Sequence, residues 1–304
     1  MQNQPKSRDP EWTIIKLLKW TTSYFKSHDI DSPRSTAEIL LAHVLKLKRI
    51  DLYLRYDQPL SINELSQFKV LIKRRIKREP VAYIVGVKEF WSMDFTVSKD
   101  VLIPRPETEC LVEAALSLLP EDSSSNINQV QKRILELGTG SGAVILAIAS
   151  MRPNHIFFAS DRSIKAVKLA RQNVKRHNLD TVVNFFCADW LTPLNSERQQ
   201  FNMIISNPPY IPTRVIGLLQ PEIYKYEPIR ALDGDKDGLC CLRHIIDDAH
   251  LNLSRKGSLL LEIGHDQKNK ILKIIHKCGN YQDIVFTKDY SGYDRVVRMT
   301  KKDT

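Results

Sequence analysis

The chain has 304 residues, 42% of them hydrophobic and 26% charged, with 45 Lys and Arg against 35 Asp and Glu and a formal net charge of +10. That is roughly two domains at about 150 residues each, enough to bury a core without covalent staples, and the five cysteines (Cys110, Cys187, Cys240, Cys241, Cys278) include no C-x-x-C pair, which excludes a disulfide framework or zinc ribbon and leaves reduced thiols as the expectation. No apolar run approaches the roughly 18 residues of a membrane span, and the opening MQNQPKSRDP has no apolar signal core, so a cytoplasmic protein is expected rather than a membrane, secreted or fibrous one.

The first third reads as helices. Apolar residues fall at helical spacing in Trp12–Phe25 and again in Ser35–Leu47, the latter after an Asp-Ser-Pro entry at Asp31–Pro33. A third helix starts near Ser61, where Ser61 and Glu64 make a capping box, and runs to about Arg78 before Pro80. Ile72 and Ile76 give it one buried stripe, with Lys73, Arg74, Arg75, Lys77 and Arg78 as a charged outer face. Residues 1–88 hold 17 Lys and Arg against 9 Asp and Glu, so +8 of the +10 lies there. Such asymmetry favours an acidic partner or a nucleic-acid assembly, or is a solvated helix surface that happens to be basic.

From Phe90 to Val101 the apolar residues nearly alternate around Ser98, Lys99 and Asp100, as in a hairpin or two short strands. The stiff loop Ile103-Pro104-Arg105-Pro106-Glu107-Thr108-Glu109 then leads into a helix that fades at Pro120, and residues 121–131 form a polar connector. Beyond residue 132, buried strands at Arg133–Leu137, His155–Ser160, Val182–Cys187, Asn202–Ser206 and Ser258–Ile263 alternate with helices at Ala143–Met151, Ser163–Asn178, Gly238–Leu253 and Gln267–Cys278. This rhythm predicts a parallel, doubly wound sheet. Two late strands, Asp283–Thr287 and Arg295–Met299, flank Tyr290-Ser291-Gly292-Tyr293.

Two motifs carry chemistry. Glu136-Leu137-Gly138-Thr139-Gly140-Ser141-Gly142-Ala143 follows a strand and opens a helix, and its glycines let backbone approach a ligand closely. Residues 138–143 also fit G-x-G-x-x-A, so the loop alone leaves NAD and S-adenosylmethionine both open. Asp161, 19 residues after Gly142, ends the next strand, where a carboxylate accepts from ribose hydroxyls or caps the following helix. Asp189 could meet an adenine amine and Trp190 could stack beside its ring, although tryptophan is more often core. Asn207-Pro208-Pro209-Tyr210 ends the fourth strand, where two prolines cannot continue a ladder and freeze an extended loop at the ligand-binding edge. The carbonyls of Asn207 and Pro208 are then acceptors for a planar substrate –NH₂, aiming its nitrogen lone pair at a methyl donor, and Tyr210 offers an aromatic face. A neutral Asn avoids stabilising a cationic donor in its ground state.

With both motifs present, the chain resembles the class I S-adenosylmethionine methyltransferases, and within them the peptide chain release factor glutamine-N5 methyltransferases. The resemblance runs through FWSMDFTVSKDVLIPRPETE (residues 90–109), ELGTGSGA, Ala188-Asp189-Trp190, Asn207–Tyr210, EPIRALDGDKDGL (227–239), Glu262-Ile263-Gly264 and Gly292–Val297. It implies a doubly wound, seven-stranded Rossmann-like methyltransferase sheet (α/β), one strand antiparallel, over residues 106–304. A helical substrate-docking domain over 1–88 and a hairpin linker over 89–105 would precede it. It implies S-adenosyl-L-methionine as cofactor, S-adenosyl-L-homocysteine as product and no metal. Cofactor contacts would come from Gly138, Thr139, Gly140, Ser141, Gly142, Asp161, Trp190 and Asn207. Asn207, Pro208, Pro209 and Tyr210 would grip the substrate, with Asn207, Pro208 and Tyr210 catalytic. The partner would be a release factor, methylated on the glutamine of its Gly-Gly-Gln tip, with no membrane and no nucleic-acid substrate. Asp235 departs from the family, which usually has a second glycine there. The competing readings are a ribosomal-protein glutamine methyltransferase, whose loop usually reads Pro-Arg-Ser-Pro, and a nucleic-acid adenine methyltransferase. A non-catalytic binding module would not need both motifs, and an NAD oxidoreductase would leave Asn207–Tyr210 idle.

Overall fold

Strands buried on both faces need apolar residues at every position, and alternate residues then feed two separate cores. The computed structural model describes residues 12–120, 130–194 and 200–303, and its central strands behave in this way. Ile134, Met203, Ile205 and Leu260 enter one apolar layer, while Leu135, Leu137, Ile204, Leu259 and Leu261 enter the other. The strands are β3 Arg133–Leu137, β4 Ile156–Asp161, β5 Val183–Cys187, β6 Phe201–Ser206, β7 Leu253–Glu262, β8 Tyr281–Lys288 and β9 Asp294–Lys301, in sheet order β5-β4-β3-β6-β7-β9-β8. β3 pairs in parallel with β4 and β6, while β9 is antiparallel to both β7 and β8. Strand order reverses at β3, so the crevice above its carboxyl end is the expected ligand position. Among the covering helices are α7 Ala143–Met151, α8 Ile164–Arg176, α11 Cys240–Asn252 and α12 Lys268–Cys278.

The chain divides after Gly86. The first unit holds α1 Ile14–Lys26, α2 Pro33–Leu45, α3 Arg49–Leu54, α4 Ile62–Ile76 and α5 Val81–Val85 around a core that includes Ile14, Phe25, Leu40, Leu41 and Phe68. α3 and α5 span under two turns each, too little sequence to show a 3.6-residue period. The Ser61–Glu64 capping box is present, with Glu64 Oε2 accepting from Ser61 N at 2.7 Å. The basic run 73–78 is not one solvated face. Arg75 is 4% exposed and donates to Glu79 O at 3.2 Å, while Arg74 grips the Glu79 carboxylate through Nε and Nη2 at 2.7 and 2.6 Å. Two of its cations thus close the α4–α5 corner.

The second unit begins with the hairpin β1 Val87–Phe90 and β2 Met93–Thr96, which belongs to this unit instead of forming a connector between the two. Phe90 and Phe95 pack edge to face inside its core. The turn lies at Trp91-Ser92, with φ of 54° and 56°, not at Ser98–Asp100. Neither residue advertises a positive φ. Carboxylates hold the turn instead, Glu109 accepting from Trp91 N at 2.9 Å and Glu89 from Ser92 N at 2.7 Å. A single 3₁₀ turn, Pro106–Thr108, then leads into α6 Glu109–Leu116. Residues 1–11 and 121–129 lie outside the described residues, and with them most of the polar connector. Between β6 and α11 lie the short helices α9 Thr213–Ile216 and α10 Pro221–Tyr226. Among the described residues, no helix is long and apolar enough to cross a membrane.

Candidate active site

The glycine loop closes on itself above the end of β3. Thr139 N donates to Ser160 O at 2.9 Å and Gly142 N to Thr139 O at 2.8 Å, with φ of 69°, 54° and 81° at Gly138, Gly140 and Gly142. A Cβ on Gly140 would meet nothing within 4 Å, whereas one on Gly142 would meet Leu146 Cδ1 at 3.1 Å and Ala170 Cβ at 3.3 Å. Gly140 therefore leaves room for a ligand, and Gly142 lets α7 and α8 approach. Asn173, fully buried on α8, donates to Ser141 O at 2.8 Å and Thr96 O at 3.0 Å, tying loop to hairpin.

This loop lines a cavity of about 450 Å³ with Asp161, Asp189, Trp190, Asn207 and Pro209, a volume suited to a ligand of cofactor size. Asp161 accepts from Gly140 N at 3.0 Å through Oδ2 and from Ser163 N at 2.8 Å through Oδ1. Each oxygen keeps a further lone pair for a ligand hydroxyl. Burial raises its pKa, against which the Ser163 and Gly140 N–H groups work. The cap of α8 is Ser163, accepting from Ala166 N at 3.4 Å, so Asp161 sits two residues before the cap position. Trp190, at φ 50°, lies over Gly138, where a Cβ would touch its ring at 3.7 Å.

The tetrad divides. Asn207 and Pro209 line the cavity, whereas Pro208 is buried and neither it nor Tyr210 is part of the wall. The Tyr210 hydroxyl donates to Glu262 Oε1 at 3.1 Å, and its ring packs on the α11–α12 side of the sheet. Its role in this arrangement is to hold the loop, not to offer a free aromatic face. Gln267 holds the loop from behind, donating to Tyr210 O at 2.9 Å and Gly238 O at 3.0 Å while accepting from Gly264 N at 2.9 Å.

The two segments that the resemblance singled out meet at the cavity. Arg105 donates to Glu227 Oε1, and Glu227 Oε2 accepts from Ile103 N at 3.2 Å. Arg230 adds a donation to Ser163 Oγ at 2.8 Å. Asp235 stands at φ 71° with its N–H given to Asp233 Oδ1 at 2.9 Å, so a position suited to glycine is met by an Asx-stabilised left-handed residue. Arg105, Thr108 and Arg230 line the cavity although no motif logic gave them roles, because their partners lie far away in sequence, and Glu136, at the head of the glycine loop, lines it too.

Two buried carboxyls stand close by. Burial pushes Glu136 up to about 8, despite the Thr139 hydroxyl that donates to it, and pushes Glu262 up to about 7. A carboxyl raised from 4.5 to about 8 keeps its proton in the folded state where the unfolded chain has lost it, so its contribution to stability is full below about 4.5 and drains away as pH rises to about 8. Denaturant unfolding across that window is expected to show a falling midpoint for the native sequence and a shallower fall for Glu136→Gln. Identical slopes would contradict the buried neutral carboxyl.

Residues 16–86 match the family described as the PrmC N-terminal domain, and residues 115–217 the methyltransferase small domain. Over 286 residues the chain is 39% identical to a release factor glutamine methyltransferase of Geobacter sulfurreducens, covering 94% of this chain and 96% of the relative. A protein of the same description from Coxiella burnetii is 42% identical over 266 residues, covering 88% and 91%. Among solved structures, the human methyltransferase 10 domain containing protein superposes with a TM-score of 0.52 at 16% identity, over 70% of this chain and 90% of that one, a likeness of fold.

Proposed function

The chain belongs to the release factor glutamine methyltransferases, and on that premise we propose that it moves the methyl group of S-adenosylmethionine to the side-chain amide nitrogen of the glutamine in a release factor's Gly-Gly-Gln tip. The observation that carries this is the shared cavity, whose wall holds the glycine loop and Asp161 together with Asn207 and Pro209. Gly138 to Ser141, Asp161 and Trp190 would hold the cofactor, while Gly142 lies outside the cavity wall and packs α7 against α8; the open space at Gly140 and the two backbone-held oxygens of Asp161 fit the cofactor. When bound, the cofactor supplies an electrophilic methyl on a sulfonium leaving group.

The protein's own part is positioning. An amide nitrogen is a poor nucleophile, so orientation must supply much of the acceleration. Oδ1 of Asn207, in the cavity wall, would accept an amide N–H bond, turn the lone pair toward the methyl carbon and stabilise positive charge developing on nitrogen, with the buried Pro208 stiffening the loop behind it. With the cofactor held there, the N–C bond would form as the C–S bond broke, giving the neutral thioether, and one amide proton would pass to water. No covalent enzyme intermediate is required. Residues 1–88 would dock the protein substrate, because one glutamine offers too few atoms to select a protein and remote binding energy can order the amide. A bacterial-type cytoplasm is the proposed location, a reading supported by the bacterial origin of the relatives.

Tritium transfer from labelled cofactor to a release factor, a ribosomal protein and DNA in parallel tests the assignment. Label is expected in the release factor. Preferential labelling of either alternative would displace this reading.

A further inference from the structure

An asparagine amide offers an acceptor on one side and donors on the other, and a half-turn of the side chain exchanges them. Which way Asn207 faces therefore decides what chemistry its end of the cavity welcomes. Asn207 Nδ2 donates to Thr108 Oγ1 at 3.2 Å across 99 residues of sequence. Both residues line the cavity, and Thr108 is 4% exposed.

Thr108 occupies the cap position of α6, where a threonine hydroxyl ordinarily accepts from the first-turn N–H groups. Here it makes no side-chain cap bond. The hydroxyl instead accepts from Asn207, and it favours the charged form of the Glu262 carboxyl at the end of β7, whose Oε1 accepts from the Tyr210 hydroxyl and whose buried Oε2 has no hydrogen-bond partner among the described residues. A hydroxyl has one proton. Serving that unpartnered buried oxygen takes the proton and leaves Thr108 Oγ1 only lone pairs for Asn207, which matches the Nδ2 donation in the structure.

We propose that Thr108 is a positioning residue that locks the Asn207 amide with Oδ1 toward the substrate, and that this lock makes the site select glutamine over glutamate. This rests on the methylation reading above. A glutamine amide brings N–H donors to Oδ1, whereas a glutamate carboxylate brings only acceptors and would face Oδ1 unpaired. Released from Thr108, Asn207 can turn Nδ2 inward, which suits a carboxylate and leaves the amide badly held. A site built on hydrogen-bond polarity rejects the wrong partner strongly, and loses that power when the polarity is free to invert.

Thr108→Val keeps the volume and removes the oxygen, while Thr108→Ser keeps the oxygen. The measurement is kcat and KM for an intact release factor, and the inhibition constant of the same factor with its tip glutamine replaced by glutamate, in full-length enzyme of all three forms. Cofactor affinity is followed by calorimetry. Thr108→Val is expected to lower kcat and to narrow the glutamine-over-glutamate preference, each by about tenfold or more, with cofactor affinity unchanged and both defects restored in Thr108→Ser. Unaltered rate and preference in Thr108→Val, with the native enzyme active, would overturn the lock and leave the methylation reading standing. Equal defects in Thr108→Val and Thr108→Ser, with cofactor affinity lost as well, would make Thr108 a merely structural residue and also overturn it. A native enzyme that labels no release factor removes the methylation reading and the lock with it.

Discussion

Asn207→Ala is expected to lower kcat toward a release factor by two or more orders of magnitude while leaving S-adenosylmethionine binding largely intact. The side chain stands at the end of β6 in the cavity wall, held by Thr108 on its Nδ2 side. One oriented acceptor facing charge that develops only in the transition state is worth about 3 kcal/mol. Truncation removes that acceptor without touching the glycine loop or Asp161. Single-turnover rates with saturating cofactor separate this from a binding defect. Near-native turnover would show that the tetrad asparagine is not part of the chemistry.

Asp161→Ala is expected to act on the other half of the cavity, weakening cofactor binding by a few kcal/mol, as for charged hydrogen bonds to two hydroxyls. The carboxylate also accepts from Gly140 N and Ser163 N, so its removal loosens the loop that faces the ligand. Asp161→Asn separates the two roles, since it keeps one acceptor oxygen and loses the charge. Calorimetry is expected to rank native, Asn and Ala in falling affinity. An unchanged dissociation constant in Asp161→Ala would confine Asp161 to supporting the start of α8.

The sheet was legible because its strands must be apolar on both faces, and runs such as Arg133–Leu137 and Ala143–Met151 coincide with β3 and α7 to the residue. The start of β7 at Leu253 was hidden, because Ser254, Arg255 and Lys256 interrupt the apolar pattern that resumes at Ser258. The hairpin turn was hidden because its positive-φ residues are Trp and Ser, held by carboxylates from Glu89 and Glu109. Within the site, the glycine loop, Asp161 and Asn207 show in sequence because each belongs to a contiguous motif at a strand end. Thr108, Arg105, Glu227 and Glu262 lie in segments that carried the resemblance, but neither they nor Gln267 show their roles there. Their functions come from partners 52 to 122 residues away, a distance that no local pattern encodes. Tyr210 shows the opposite failure, since adjacency to Asn207 gave it a ligand-facing role that its bond to Glu262 does not support.

The most direct test of the central claim is peptide mapping by mass spectrometry of a release factor incubated with the enzyme and S-adenosylmethionine. One added methyl on the side-chain amide of the Gly-Gly-Gln glutamine, absent from the reaction with Asn207→Ala, is the predicted result. A methyl on any other residue, or an equal yield from Asn207→Ala, would contradict the account.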